Sequence, residues 1–320
     1  MTNKQILLVC DADRFRGSGH VMRMITLGTE LRSRGIAVDM LAHTIPAQLI
    51  NRAQRADIRV LNRICEQNSH QLSAEIPTGV YTHIVLDGYE FATVTFEELS
   101  RRKEFVIVLD DNGDHAGKPC HLIINQNMHA LEDMYKGYSS KQQLLLGPDY
   151  VLLRPEVRLE GGLPTPDREG LLLSLGGTDS LELRKHFVDH LGTLKSIPLL
   201  IAEGHISRSP TSPSDFANFM RRARVGLIAL GTTLWEALYL GLPIVGLVVA
   251  ENQVLAANSI MQKNLAEIFD VRDTCDFERI SMTIAELYES ETLLQERSEA
   301  GMKIVDGLGS TRVTDYILQL

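Results

Sequence analysis

The chain has 320 residues, 44% of them hydrophobic and 23% charged, with a formal net charge of −9. That length suits two domains of ordinary size, the composition is that of a soluble globular protein, and no apolar run is long enough to span a bilayer. The acidic balance lacks the basic footprint that phosphate backbones need, which excludes a general nucleic-acid binder. The opening MTNKQILLVCDAD is too short in its apolar part and too acidic afterwards for a signal peptide, so the expected compartment is the cytoplasm. Cys10, Cys65, Cys120 and Cys275 show no C-x-x-C spacing, which points to reduced thiols rather than a zinc site or a disulfide framework.

In chain order, Ile6 to Cys10 reads as a first strand. Gly17, Ser18 and Gly19 turn into a helix with apolar residues at Val21, Met24, Ile25 and Leu31, closed by Gly35. Strand, glycine-rich turn and helix open a doubly wound α/β domain, in which ligands bind beyond the carboxyl ends of the strands. Strands are expected over Ile36–Leu41, Ile58–Leu61, His83–Asp87, Phe105–Leu109 and His121–Asn125, with helices over Pro46–Gln54 and Val94–Arg102. Two successive strands end in carboxylates, at Asp87 and at Asp110-Asp111, and the next ends in Asn-Gln-Asn. Such residues suit a crevice site and equally cap turns.

Gly161, Gly162, Pro164 and Pro166 mark a linker, which places domains at 1–158 and 168–320. The second begins with a strand at Gly170–Leu175 entering Gly176-Gly177-Thr178-Asp179, then a helix from Leu181 to Leu194 and a strand at Ile197–Ala202. A loop at Ser207–Ser214 and a short helix at Phe216–Ala223 lead to the strand Val225–Leu230. Gly231-Thr232-Thr233 opens a helix over Leu234–Leu240, and a buried strand, Pro243–Val249, runs into AENQ at 250–253. The chain is helical from Asp276, and Ser310–Leu320 is a candidate last helix packing back across both domains.

Backbone N–H groups at a helix N-terminus form an anion site, so Gly176, Gly177 and Thr178, and Gly231, Thr232 and Thr233, are each fit to hold part of a diphosphate. Two doubly wound domains with such turns suggest a nucleotide-sugar enzyme working in the cleft between them. Glu236, one helical turn beyond Thr232, is a candidate to accept hydrogen bonds from ribose hydroxyls, or is a solvated helix charge. Trp235 reads as core. Asn252 and Gln253 fit either a helix cap or a contact to sugar or phosphate. His20, on the first helical turn, is biased by the helix dipole towards the neutral imidazole and is the first candidate for a general base. The bland alternative is a histidine that caps the helix.

The stretches GSGHVMR at 17–23, LDDN at 109–112, NQN at 125–127, LLGPDYVLLRPE at 145–156, LSLGGTD at 173–179, GTTLWE at 231–236, GLPIV at 241–245 and AENQ at 250–253 follow one another in a familiar order. Together they resemble, over nearly the whole chain, the UDP-sugar hydrolases of pseudaminic acid biosynthesis (PseG type), grouped with spore-coat polysaccharide proteins and built like GT-B glycosyltransferases. The resemblance implies an α/β fold of two Rossmann-type domains facing across a cleft. It implies release of UDP from a UDP-linked diacetamido-trideoxy hexose by water, without cofactor or metal, in a monomer or weak homodimer. The essential histidine of the family falls on His20, with Asp13 and Tyr89 supporting it. The matched motifs supply Gly17, Ser18, Gly19, Arg23, Asn127, Asn252 and Gln253 for the substrate. Three positions depart from the pattern: Val9 where the family carries a basic residue, Gly88 in the middle of an aspartate-histidine-tyrosine strand end, and Leu230 ahead of the second-domain turn. A glycosyltransferase using the same cleft, or a nucleotide-sugar binding protein without catalysis, fits the same motifs.

Overall fold

The computed structural model describes residues 4–12, 17–136, 142–160, 162, 164–176, 181–192, 197–202 and 211–320. The chain divides into two compact units, residues 1–152 with 308–320, and residues 153–307.

The first unit carries β1 (Gln5–Cys10), α1 (Gly19–Ser33), β2 (Ala37–Ala42), α2 (Ala47–Arg55), β3 (Arg59–Asn62), α3 (Leu72–Glu75), β4 (His83–Asp87), α4 (Thr93–Ser100), β5 (Phe105–Leu109), β6 (Leu122–Asn125) and β7 (Gln143–Leu146). Its seven strands are parallel in the order β3-β2-β1-β4-β5-β6-β7. A parallel sheet is covered on both faces, which is why β1, β4, β5 and β6 read as continuous apolar runs. Ile6, Leu8 and Val85 pack with α1 and α2 on one face; Leu7, Ile84 and Leu86 pack with Phe96 and Leu99 on the other. Each such side chain contributes roughly 1.5–3 kcal/mol when fully buried. Gly35 ends α1 in a left-handed turn, its N–H on Arg32 O and that of Ile36 on Leu31 O, the bond pair of a Schellman cap.

The second unit carries α5 (Pro155–Glu160), β8 (Leu171–Ser174), α6 (Leu181–Leu191), β9 (Leu199–Ile201), α7 (Pro213–Arg222), β10 (Val225–Ala229), α8 (Thr232–Tyr239), β11 (Ile244–Val248), α9 (Val254–Gln262), β12 (Ala266–Asp270), α10 (Phe277–Glu289) and α11 (Glu291–Met302). The strand order is β12-β11-β10-β8-β9, again parallel. Gly241 closes α8 as Gly35 closes α1, with Gly241 N on Leu238 O and Leu242 N on Ala237 O.

Several elements differ from the sequence expectation. The stretch with the Gly and Pro breakers is preceded by a helix, α5, packed on α7, so the second unit starts at Leu153. The strands β7 and β12 are edge strands whose half-exposed residues lack a long apolar run. The last helix, α12 (Gly309–Gln319), belongs to the first unit, where Val313 and Ile317 join the core beside α1. Its start fits closely: a side chain at Gly309 would collide with the backbone of Tyr150 and Val151.

Candidate functional site

Each sheet has one point where the chain reverses its direction of travel across the strands, between β1 and β4 in the first and between β8 and β10 in the second. Ligands of doubly wound sheets bind at the carboxyl ends of the strands flanking such a point.

At the β1/β4 point, Gly17, with φ +73°, lets the chain turn into α1, and Met22 N donates to Ser18 O. The first turns of α1 carry His20 and Arg23, three residues apart and on one face. Both are 5% exposed, and both meet Asp87, the last residue of β4, which is wholly buried. His20 Nδ1 lies 2.7 Å from Asp87 Oδ1, while Arg23 forks onto the same carboxylate with Nε to Oδ2 at 2.6 Å and Nη2 to Oδ1 at 2.6 Å. Arg23 also forks onto Asp111, with Nη1 to Oδ1 at 2.7 Å and Nη2 to Oδ2 at 2.9 Å. Tyr89 OH and Asn127 Nδ2 donate to Asp111 at 3.1 and 3.0 Å, and the Tyr89 ring meets the His20 ring edge-on, centroids 4.7 Å apart. Asn125 and His129 hold the Asp111 main-chain carbonyl.

The protonation states follow from this packing. Burial pushes the Asp87 and Asp111 carboxyls up, but the Arg23 guanidinium outweighs it and holds both below the usual carboxylate range. An ionised Asp87 only accepts, so the 2.7 Å contact assigns the Nδ1 proton to His20 and leaves Nε2 as the basic nitrogen. Among the described residues no hydrogen-bonding partner meets Nε2. A histidine held by a buried carboxylate at one nitrogen and basic at the other is the arrangement of a general base whose imidazolium is stabilised as it forms.

At the β8/β10 point the site is made of backbone. Gly176 follows β8 at φ +78°, and Gly231 caps α8 ahead of Thr232 and Thr233. A side chain built on Gly176 or Gly231 would meet no described atom within 4 Å, and Gly231 itself is exposed. Behind it Glu236, 2% exposed, is a buried charge and not a solvated one. Arg154 donates to both of its carboxylate oxygens, through Nε and Nη2, and stacks its guanidinium 4.0 Å from the centroid of the Phe216 ring. Trp235 is core. Gln253 takes the Val249 N–H on its side-chain oxygen at 2.8 Å and so holds the end of β11; it makes no side-chain cap on α9. Asn252 beside it is exposed.

The structure thus brings together His20, Arg23, Tyr89 and Asn127 beside the turn Gly17-Ser18-Gly19, and in the other unit Gly176, Gly231, Thr232, Thr233 and Glu236. Asp13, Gly177 and Thr178 lie outside the described residues. Asp87, Asp111 and Arg154 are additions that sequence reasoning did not assign; the only signal was the polar ending of two apolar runs and the motif LLRP. Of the other acidic residues there, Asp11 is paired with buried Arg63 and takes the His43 and Thr44 amides, and Asp110 takes the four amides of 112–115. Among the described residues no group of three or more His, Cys, Asp or Glu is placed to hold a metal ion, and no helix is long and apolar enough to cross a membrane. The departures have structural partners. Val9 is core, Leu230 covers Gly246, and the carboxamide of Gln67 fills the space a side chain at Gly88 would take.

No protein-family model matches the chain. It is 24% identical over 195 residues to the spore coat polysaccharide biosynthesis protein SpsG of Bacillus subtilis, a match that covers 54% of this chain and 58% of that protein. Among solved structures, the glycotransferase of kitacinnamycin is similar over 100% of this chain and 99% of its own, with a TM-score of 0.68 and 16% identity. Staphylococcus aureus MnaA, solved with UDP, is similar over 98% and 96%, with a TM-score of 0.66 and 12% identity. The fold is therefore that of the GT-B glycosyltransferases, two α/β units each built on a parallel sheet.

Proposed function

We propose that this protein is a metal-independent nucleotide-sugar hydrolase of surface polysaccharide or nonulosonic acid biosynthesis, releasing UDP from a UDP-linked diacetamido-trideoxy hexose. The observation that carries the reading is the Asp87–His20 pair, which leaves Nε2 basic at the β1/β4 switch point. His20 takes a proton from water as the water oxygen bonds to the anomeric carbon. The bond from that carbon to the β-phosphate oxygen breaks, and its electron pair leaves with UDP. The N–H groups of Thr232 and Thr233, at the start of α8, receive the negative charge of the leaving diphosphate; that of Gly231 is taken by Ala229 O. Arg23 and Tyr89 hold the carboxylates that orient the imidazole and the sugar, with Asn127 and the Gly17–Gly19 turn around them. The likeness to SpsG, together with the motifs shared with the UDP-sugar hydrolases, supports polysaccharide biosynthesis.

The test is incubation with a panel of UDP- and other nucleotide-sugars, with and without acceptor hydroxyl compounds, following nucleoside diphosphate by chromatography in the presence of EDTA. Release without an acceptor is expected. Release that requires an acceptor would make the protein a glycosyltransferase using the same base, the activity named for its structural neighbour from kitacinnamycin. Binding without turnover would leave a nucleotide-sugar binding protein.

A further inference from the structure

The motif LLRP places Arg154 at the second residue of the second unit, and its side chain is directed at Glu236 rather than at solvent. Glu236 stands one helical turn behind Thr232, so a bare carboxylate there lies about 6 Å from the helix N-terminus on which a diphosphate would rest. Glu236 is itself 2% exposed, so two negative groups at that range repel unless a cation stands between them or beside one. Arg154 meets this need: its Nε and Nη2 fork takes one lone pair of each Glu236 oxygen, and its flat face is fixed on Phe216. Each carboxylate oxygen has a second lone pair, free to accept from a hydroxyl. Glu236 and Asp111 on the Arg154 and Arg23 forks are chemically alike, but Glu236 lies behind a helix N-terminus whose cap, Gly231, is exposed with no described atom within 4 Å of a side chain built on it.

We infer that Arg154 is the positioning residue of the nucleotide site: it neutralises Glu236 and fixes its orientation, so that the carboxylate reads a ribose diol beside a bound diphosphate. The inference rests on the nucleotide-sugar reading above. Arg154 touches neither ribose nor phosphate in this role; it acts through Glu236.

Calorimetry with UDP, 2′-deoxy-UDP and uridine tests it on the full chain. Wild type is expected to prefer UDP to 2′-deoxy-UDP by about tenfold. Arg154→Lys keeps the charge and loses the fork, so the preference should collapse to within about twofold: UDP weakens by about fivefold while 2′-deoxy-UDP binds near its wild-type affinity. Arg154→Met leaves the carboxylate alone and should weaken UDP by roughly 30-fold and uridine, which loses only the ribose contact, by about tenfold or less. The double variant Arg154→Met with Glu236→Gln removes both charges; its UDP affinity should recover from the roughly 30-fold loss to about tenfold below wild type, without ribose preference. Because breaking a buried pair can unfold the protein, the Lys and double variants carry the test if Arg154→Met does not fold. Retained ribose preference in Arg154→Lys, unchanged UDP affinity in Arg154→Met, or equal loss of UDP and uridine without recovery in the double variant would each overturn the inference. Wild-type protein that binds no nucleoside diphosphate would instead overturn the reading on which it rests.

Discussion

The two switch points of this molecule are built alike and furnished differently. At β1/β4 the crevice residues are side chains: a buried histidine, arginine and carboxylate with a second, half-buried carboxylate, all mutually bonded. At β8/β10 they are backbone: Gly176, Gly231 and the start of α8, with no described atom within 4 Å of a side chain built on either glycine and one neutralised ion pair behind. Side-chain networks fix a proton on a stated atom, which chemistry requires. Backbone N–H groups bind an anion without a titratable group, which suits a leaving group that must be held at any working pH. On the function proposed above, two copies of one architecture divide the labour, and the comparison can be broken by mutations that should act on one half only.

The largest effect belongs to His20. His20→Ala should lower kcat by about 10²–10⁴, or roughly 3–5.5 kcal/mol of barrier, with UDP affinity within about twofold of wild type. Steady-state turnover and calorimetry on one preparation check both. Near wild-type turnover would remove the first site from the chemistry. Asp87→Asn follows, at about 10²–10³ in kcat. The amide can donate to Nδ1 and so releases the tautomer that keeps Nε2 basic, while Arg23 retains Asp111. If Asp87→Asn turns over like wild type, the carboxylate does not orient the base.

That Asp87 escaped sequence reading has a topological cause. The run HIVLD was legible as a strand, and His20 as the first residue of interest, but β4 pairs with β1 by crossing over β2 and β3. Strand order decides which ends are neighbours, and local periodicity does not carry it. Arg154 was hidden likewise, since its partner lies 82 residues away. The alternation of strands and helices, the glycine turns and the core position of Trp235 were legible because each depends on a few adjacent residues. The edge strands β7 and β12 were not, since half their residues face out.

On the second unit, Glu236→Ala should weaken UDP by roughly 1.5–3 kcal/mol, the range for hydrogen bonds to a charged group. It should leave kcat within about threefold at saturating substrate if binding and chemistry are divided as argued. A kcat loss as large as that of His20→Ala would end the division. The variant also strands Arg154, so its folding is checked by the fluorescence of Trp235, the sole tryptophan.

Acid should separate the halves by stability. Burial pushes His83 down to about 4, and lowers His115 and His121 as well; all three are in the first unit. Between about pH 6.5 and 4 the unfolded chain binds a proton that folded His83 does not, so stability rises with pH across that window and falls on acidification. From pH 7 to 5 the His83 share is about 1–2 kcal/mol after allowance for solvent screening. Asp87 and Asp111, held below their ordinary values, add their loss only below about pH 4. Hydrogen exchange should show β4 amides losing protection before those of β10 between pH 7 and 5. The reverse order would be a direct contradiction.

The smallest effect is the sharpest on location. Gly231 has an ordinary negative φ of −98° and no described atom within 4 Å of where a side chain would begin. Gly231→Ala should therefore fold with stability within about 0.5 kcal/mol of wild type, as unobstructed surface substitutions do. Gly176→Ala, at φ +78°, should cost about 1–2 kcal/mol of backbone strain before any ligand is considered. The methyl of Gly231→Ala stands where a phosphate would approach the N–H groups of α8, so UDP should weaken about three- to fivefold, or roughly 0.6–1 kcal/mol. Its His20-dependent step has no reason to change, and kcat at saturation should hold. Unchanged UDP affinity in a folded Gly231→Ala protein would put the diphosphate away from α8. The open turn at β8/β10 would then be a feature of the fold alone, and the contrast between the two switch points would lose its nucleotide half.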